Sequence, residues 1–291
     1  MSLLRRYNID LVVANLLLGF NYSVVISLLD THFSVGELFA MQLLAGGLIA
    51  LPLIFMVGGW RTMAWGDILP IVIFSLANIY GWSWLMLMGA AHTSAIDMAT
   101  IATLSPALTL IVAHLKHTRR VTPLRTLGVV ASLLGALMLV TDHIRATPSR
   151  GNIFTLGAVA VMATVTVMAK PILLKVGVKR YITIYLLSGG ISSLLWSTSV
   201  WRKVSGAGFS FSVAGELLWF LTLGSVVPLF LLYSGAKILS PLRSALYRYF
   251  QPLIAIIVIY ARGEEGLDHA NLVAIAMLLA GGALVATGGR G

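Results

Sequence analysis

The sequence predicts an all-α integral membrane protein whose ten transmembrane helices form two inverted five-helix repeats. Three observations carry that prediction. First, 58% of the 291 residues are hydrophobic and only 10% are charged, with a mean hydropathy of +0.94, whereas a soluble domain carries about 25% charged residues. A chain of this length cannot hide so much apolar surface in its own interior, so its solvent is lipid. Second, the apolar residues fall into ten runs, each close to the roughly 20 residues that cross a bilayer as a helix. Third, the chain matches itself at an offset of 146. Gly89 and Ala90 fall on Gly235 and Ala236, Ser94 on Ser240, Pro106 on Pro252, Leu133 on Leu279, and Gly135 on Gly281.

The predicted spans lie near 9–29, 35–57, 67–88, 93–115, 123–141, 152–175, 181–201, 214–236, 240–260 and 270–287. Residues 1–145 make the first repeat and residues 146–291 the second. Arg5 and Arg6 precede the first run in the manner of a signal peptide, but the run is a full span long and lacks a clear small-residue cleavage site. It is therefore read as a retained helix, which each five-helix half requires. The longest connection, residues 202–213, is rich in Gly and Ser and too short for a soluble domain. Because each half holds an odd number of helices, the second half runs upside down relative to the first.

The net charge of +10 does not point to nucleic acid, because the basic residues sit mostly in short loops between apolar runs. Twelve of the 20 Lys and Arg fall on the side shared with the amino terminus and five on the other. This asymmetry predicts cytoplasmic termini in a multi-pass protein of a bacterial-type inner membrane. With no cysteine in the chain, disulfides, thiolate metal sites and cysteine nucleophiles are excluded together. No phosphate loop of the G-x-x-x-x-G-K-[ST] kind is present, which disfavours a primary pump.

Polar groups inside spans are costly unless they are buried in protein or face water, so each is a candidate for a solute path. The third span carries Asn78, Tyr80, Trp82 and Trp84. On a regular helix Asn78 and Trp82 share one face and Tyr80 and Trp84 the next. The two tryptophans also fit an interfacial aromatic belt. Asp97, Thr100, Thr103 and Ser105 follow in the fourth span, and two readings stand for Asp97: a carboxyl group in the cavity, or a hydrated group capping local structure near the helix end. In the fifth span Gly128, Ala131, Ser132 and Gly135 line one face, as Ala274, Met277, Leu278 and Gly281 nearly do in the tenth. Small faces of this kind let helix backbones approach closely in lipid.

Lys170 stands immediately before Pro171 in the sixth span, and its long stem predicts snorkelling to the interface. Pro106, Pro171, Pro228 and Pro252 are candidate kinks. Tyr233 lies in the eighth span. In the ninth, Arg243, Tyr247 and Gln251 follow one helical face, with Arg248 beside it about two turns deep, where a guanidinium needs water or a partner. A solute carboxylate would supply that partner through paired hydrogen bonds.

Two segments carry a family resemblance. Residues 94–140, with "TLSPALTLIVAHL" and "GVVASLLGALMLV", and residues 240–286, with "YFQPLIAIIVIYARGEE" and "AIAMLLAGGALVA", resemble the conserved end of the EamA-type repeat of the drug/metabolite transporter superfamily. Glu264, with Glu265 beside it, matches the Glu that follows the proline-bearing helix in that family, whereas Thr118 occupies the equivalent place in the first half. The resemblance implies a transporter that moves small amphipathic metabolites by alternating access. Within the family, aromatic amino-acid exporters of the YddG type are nearest in character. The expected partners are a small solute and the lipid bilayer, with no cofactor, no metal, no nucleic acid and no obligate protein partner. The alternatives are a multidrug, nucleobase or cation exporter of the same superfamily, and, from other classes, a membrane-embedded enzyme or a structural or receptor protein.

Overall fold

Four helices of this chain begin where a serine, Ser34, Ser94, Ser210 or Ser240, caps an apolar run. The computed structural model describes residues 2–60, 63–116, 122–142, 150–196, 210–261 and parts of 272–284. These residues form α1 (Ser2–Thr31), α2 (Val35–Met56), α3 (Trp65–Ala90), α4 (Ala95–Leu115), α5 (Pro123–Asp142), α6 (Arg150–Met168, resuming at Lys170–Val176) and α7 (Val178–Ser192). They continue as α8 (Phe211–Ile238) and α9 (Pro241–Leu246, then Phe250–Ala261). The described residues between 272 and 284 are helical. Six of these helices, α1 to α4, α6 and α8, are long and apolar enough to cross a membrane. Glu264, Glu265, Thr118 and most of the 202–213 connection lie outside the described residues, as do parts of the predicted tenth span.

Capping shows how local sequence sets the starts. Ser34 and Glu37 form a reciprocal capping box at the head of α2, which satisfies two backbone donors that the helix itself cannot. Ser94 and Ser240, matched by the 146 offset, cap α4 and α9 alike. Each hydroxyl accepts from the backbone N–H three residues on, Asp97 at 3.1 Å and Arg243 at 3.4 Å.

The four candidate kink prolines share one placement. α4 is interrupted at Thr103–Leu104, α6 at Ala169, α8 by a π-helical turn at Thr222–Val226, and α9 by a 3-10 turn at Tyr247–Tyr249. Pro106, Pro171, Pro228 and Pro252 then stand in the first turn of the segment that resumes. A first-turn residue needs no intrahelical N–H bond, so the missing proline donor costs nothing there. The breaks thus lie just before the prolines.

Packing crosses between the halves in a reciprocal pattern: α1 lies against α8 and α9, while α6 lies against α3 and α4. Gly89 of α3 meets Thr155 of α6, and its offset partner Gly235 of α8 meets Leu11 of α1. α2 and α7 cross at Gly47 and Gly190, where a Cβ on Gly47 would stand 2.6 Å from the Gly190 Cα. No side chain fits between them. The small face of α5 also makes a close contact, since a Cβ on Gly281 would lie 2.6 Å from the Gly128 carbonyl oxygen.

Candidate functional site

Two internal cavities lie where the halves meet. The first, a narrow cavity of about 50 Å³, opens between α4, α6, α8 and α9 and is lined by Thr109, Lys170, Tyr233, Ser244 and Arg248, among others. The second combines two narrow spaces of about 50 and 40 Å³ that share Gln42, Trp82 and Ser83. Asn21 and Tyr22 of α1, Tyr185 of α7, and Gly224 and Ser225 of α8 complete its polar wall. No acidic residue is among the described lining of either cavity.

A tyrosine pair separates them. Tyr233 faces the first cavity and Tyr185 the second, with ring centroids 6.3 Å apart. Tyr181 packs on Tyr233 at 4.9 Å and braces it. The Tyr185 hydroxyl is held by Asn78, whose Nδ2 donates to it at 3.1 Å, and by Ser83. Asn78 and Ser83 are five residues apart, and a π-helical turn at Ile79–Trp84 is what brings them to one side. Such turns place residues i and i+5 in register and recur at functional sites. The regular-helix pairing of Asn78 with Trp82 is therefore replaced: Trp82 turns into the second cavity while Asn78 braces the tyrosine.

Arg248 is only 5% exposed and lines the first cavity, close enough to Tyr22 to interact with it electrostatically. Among the described residues the one salt bridge is Lys175–Asp67, at 2.5 Å, so Arg248 has no carboxylate partner there. A buried cation without a counter-ion is costly, which makes the cavity a place for a negative group. Lys170 does not snorkel. Its Nζ donates to the backbone oxygens of Ala236, of Lys237 at 3.2 Å and of Leu239 at 2.8 Å. These are the orphan carbonyls at the end of α8, where a cation is favoured by both hydrogen bonding and the helix dipole.

Of the residues picked out in sequence, Trp82, Ser105, Lys170, Tyr233 and Arg248 line the two cavities, and Asn78 supports Tyr185 at the edge of the second. The others have different places. Tyr80 and Trp84 pack on Phe39, with ring centroids at 5.4 and 5.0 Å, and Trp84 also meets Trp196 at 4.9 Å. Asp97 sits in the first turn of α4, where its Oδ2 accepts from Thr93 Oγ1 at 3.1 Å. An acid there is stabilised by the helix N-terminus, and the capping reading of Asp97 is the one its geometry fits.

Thr100 and Thr103 are buried in α4 and line neither cavity; Thr103 Oγ1 donates to the Thr100 carbonyl at 2.6 Å, within the break before Pro106. Tyr247 stacks on Phe250 beside a separate surface cleft that also holds Arg243. Gln251, fully buried, joins α9 to α1: it accepts from the Tyr22 hydroxyl at 2.9 Å and donates to Asn15 Oδ1 at 2.7 Å. Sequence reasoning missed Asn21, Gln42, Ser83, Tyr185 and Ser225. Single polar residues in otherwise apolar runs were their only signal.

The model of the EamA-like transporter family matches residues 8–141, which cover α1 to α5. Over that half the chain is similar to the EamA-type family of the drug/metabolite transporter superfamily. A solved crystal structure of a protein is similar to this chain over 97% of its length and 98% of the other's, with a TM-score of 0.64 and 15% identity. At that identity the likeness concerns the fold alone. No curated protein matches the chain. The family's members are transporters, so a membrane-embedded protein with a small-molecule solute is the coarse functional class that this match supports.

Proposed function

We propose that this protein exports small amphipathic carboxylates, foremost hydrophobic and aromatic amino acids, by alternating access across a bacterial-type inner membrane. The observation that carries the reading is Arg248, a buried cation with no described counter-ion, facing an internal cavity at the joint between the halves. A guanidinium binds a carboxylate by two parallel hydrogen bonds, and the apolar remainder of the cavity suits an aromatic or aliphatic side chain.

The architecture in this reading is two inverted five-helix repeats, residues 1–145 and 146–291, with ten spans and both termini cytoplasmic. The reciprocal packing of α1 and α6, the matched Ser94 and Ser240 caps, and the equivalent contacts of Gly89 and Gly235 support it. In an inverted repeat the two halves exchange conformations, so a cavity open to one face becomes open to the other. The tyrosine pair is placed to act as the barrier that such an exchange opens.

A lipophilic-cation exporter fits less well, because Lys170 and Arg248 both line the first cavity and Asp97 lies outside it. The test is flux into proteoliposomes, comparing labelled phenylalanine with a lipophilic cation of similar size. Phenylalanine uptake with little cation uptake is expected. Cation uptake alone would overturn the carboxylate assignment.

A further inference from the structure

The second cavity holds polar atoms for which the carboxylate site has no use. Asn21 Oδ1, Gln42 Oε1 and Trp82 Nε1 are buried and have no hydrogen-bond partner, and their residues line the same space. Leaving a buried polar atom unpaired costs about 1–3 kcal/mol. Three such atoms around one void describe a place that something polar visits.

The orientation of Gln42 is fixed by its neighbour. Its Nε2 donates to Ser225 Oγ at 2.7 Å, and the single proton of Ser225 goes to the Phe220 carbonyl, also at 2.7 Å. Turning the amide over would bring oxygen against oxygen with no proton between them. Oε1 is therefore an acceptor that cannot exchange places with the amide nitrogen.

The two π-helical turns build opposite walls: Trp82 and Ser83 belong to Ile79–Trp84, and Gly224 and Ser225 to Thr222–Val226. Asn21 Oδ1 packs closely on Gly224, where a Cβ would overlap it and displace the amide. The void thus offers two carbonyl oxygens and one indole N–H, with no acid in its described lining.

We propose that Asn21 and Gln42 form an amine station in the second cavity, apart from the cavity that Arg248 lines, resting on the transport reading above. The two oxygens receive the ammonium of a zwitterionic solute, and Trp82 Nε1 donates to an oxygen of the same head group. Because the acceptors are neutral, they select for an amine without holding it as a carboxylate would, and a transport site must release what it binds.

The test is equilibrium binding to the purified full-length protein in detergent, with phenylalanine and 3-phenylpropionate as probes. The two share ring and carboxylate and differ in the ammonium. Gln42→Leu is expected to weaken phenylalanine about tenfold more than 3-phenylpropionate, the loss of a hydrogen bond to a charged group. Asn21→Leu gives the same differential if Gln42→Leu fails to fold, as judged by its melting curve. Parallel loss of both probes, or no loss of phenylalanine, overturns the station while leaving the carboxylate site standing. Failure of both probes to bind the wild type refutes the transport reading itself, and the station with it.

Discussion

Lys170 Nζ donates to the Leu239 carbonyl oxygen at 2.8 Å, so the first residue after the break in α6 closes the end of α8. A predicted kink and a helix end are thereby one structural unit. Lys170→Met keeps the stem and removes the donor, which leaves the last α8 carbonyls unpaired. We expect a loss of about 1–3 kcal/mol of stability, read as a lower midpoint of thermal unfolding in detergent. An unchanged midpoint would show that water serves those carbonyls equally well.

The crossing of α2 and α7 has no room for a side chain at Gly47 or Gly190. Gly47→Val is expected to abolish the monodisperse folded protein, because a Cβ at that place meets backbone that cannot move aside. Gly66→Ala is the comparison, since nothing lies within 4 Å of a Cβ there. Size-exclusion profiles of the two variants separate close backbone approach from a general intolerance of larger residues.

Gln251 ties α9 to α1 through Tyr22 and Asn15. Gln251→Leu leaves both partners unpaired in the interior and should cost about 1–3 kcal/mol. Measured against Asn15→Leu and the double variant, the loss should be markedly less than additive, as residues in one network behave. Additive losses would place Gln251 in a role other than this joint.

Asp97 accepts from Thr93 at the head of α4 and lies outside both cavities. Asp97→Asn is therefore expected to preserve any accumulation driven by a proton gradient across proteoliposomes. Loss of gradient-driven uptake in Asp97→Asn would return that carboxylate to the transport path.

The membrane class, the six membrane-length helices and the close approach at the small face of α5 were legible because they depend on composition and spacing alone. Gly281 against Gly128 is the case in point. The site was legible only in part. Arg248 stood out since a deep charge is expensive wherever the helix turns. Asn78 and Trp82 were assigned a common face from the 3.6-residue period, and the π-helical turn at Ile79–Trp84 changes that period where it matters. Gln42 was invisible for another reason: its role depends on Ser225, 183 positions away in the chain. Lys170 was read for its reach toward water, whereas three carbonyls of a neighbouring helix lay closer.

The most direct test of the account compares phenylalanine counterflow in proteoliposomes carrying wild type, Arg248→Ala and Arg243→Ala. Arg243 is exposed beside a separate surface cleft, so its loss should change the rate by no more than about twofold. Loss of the buried Arg248 guanidinium should lower the rate by about tenfold or more. Equal rates in all three proteins would contradict a solute carboxylate at Arg248.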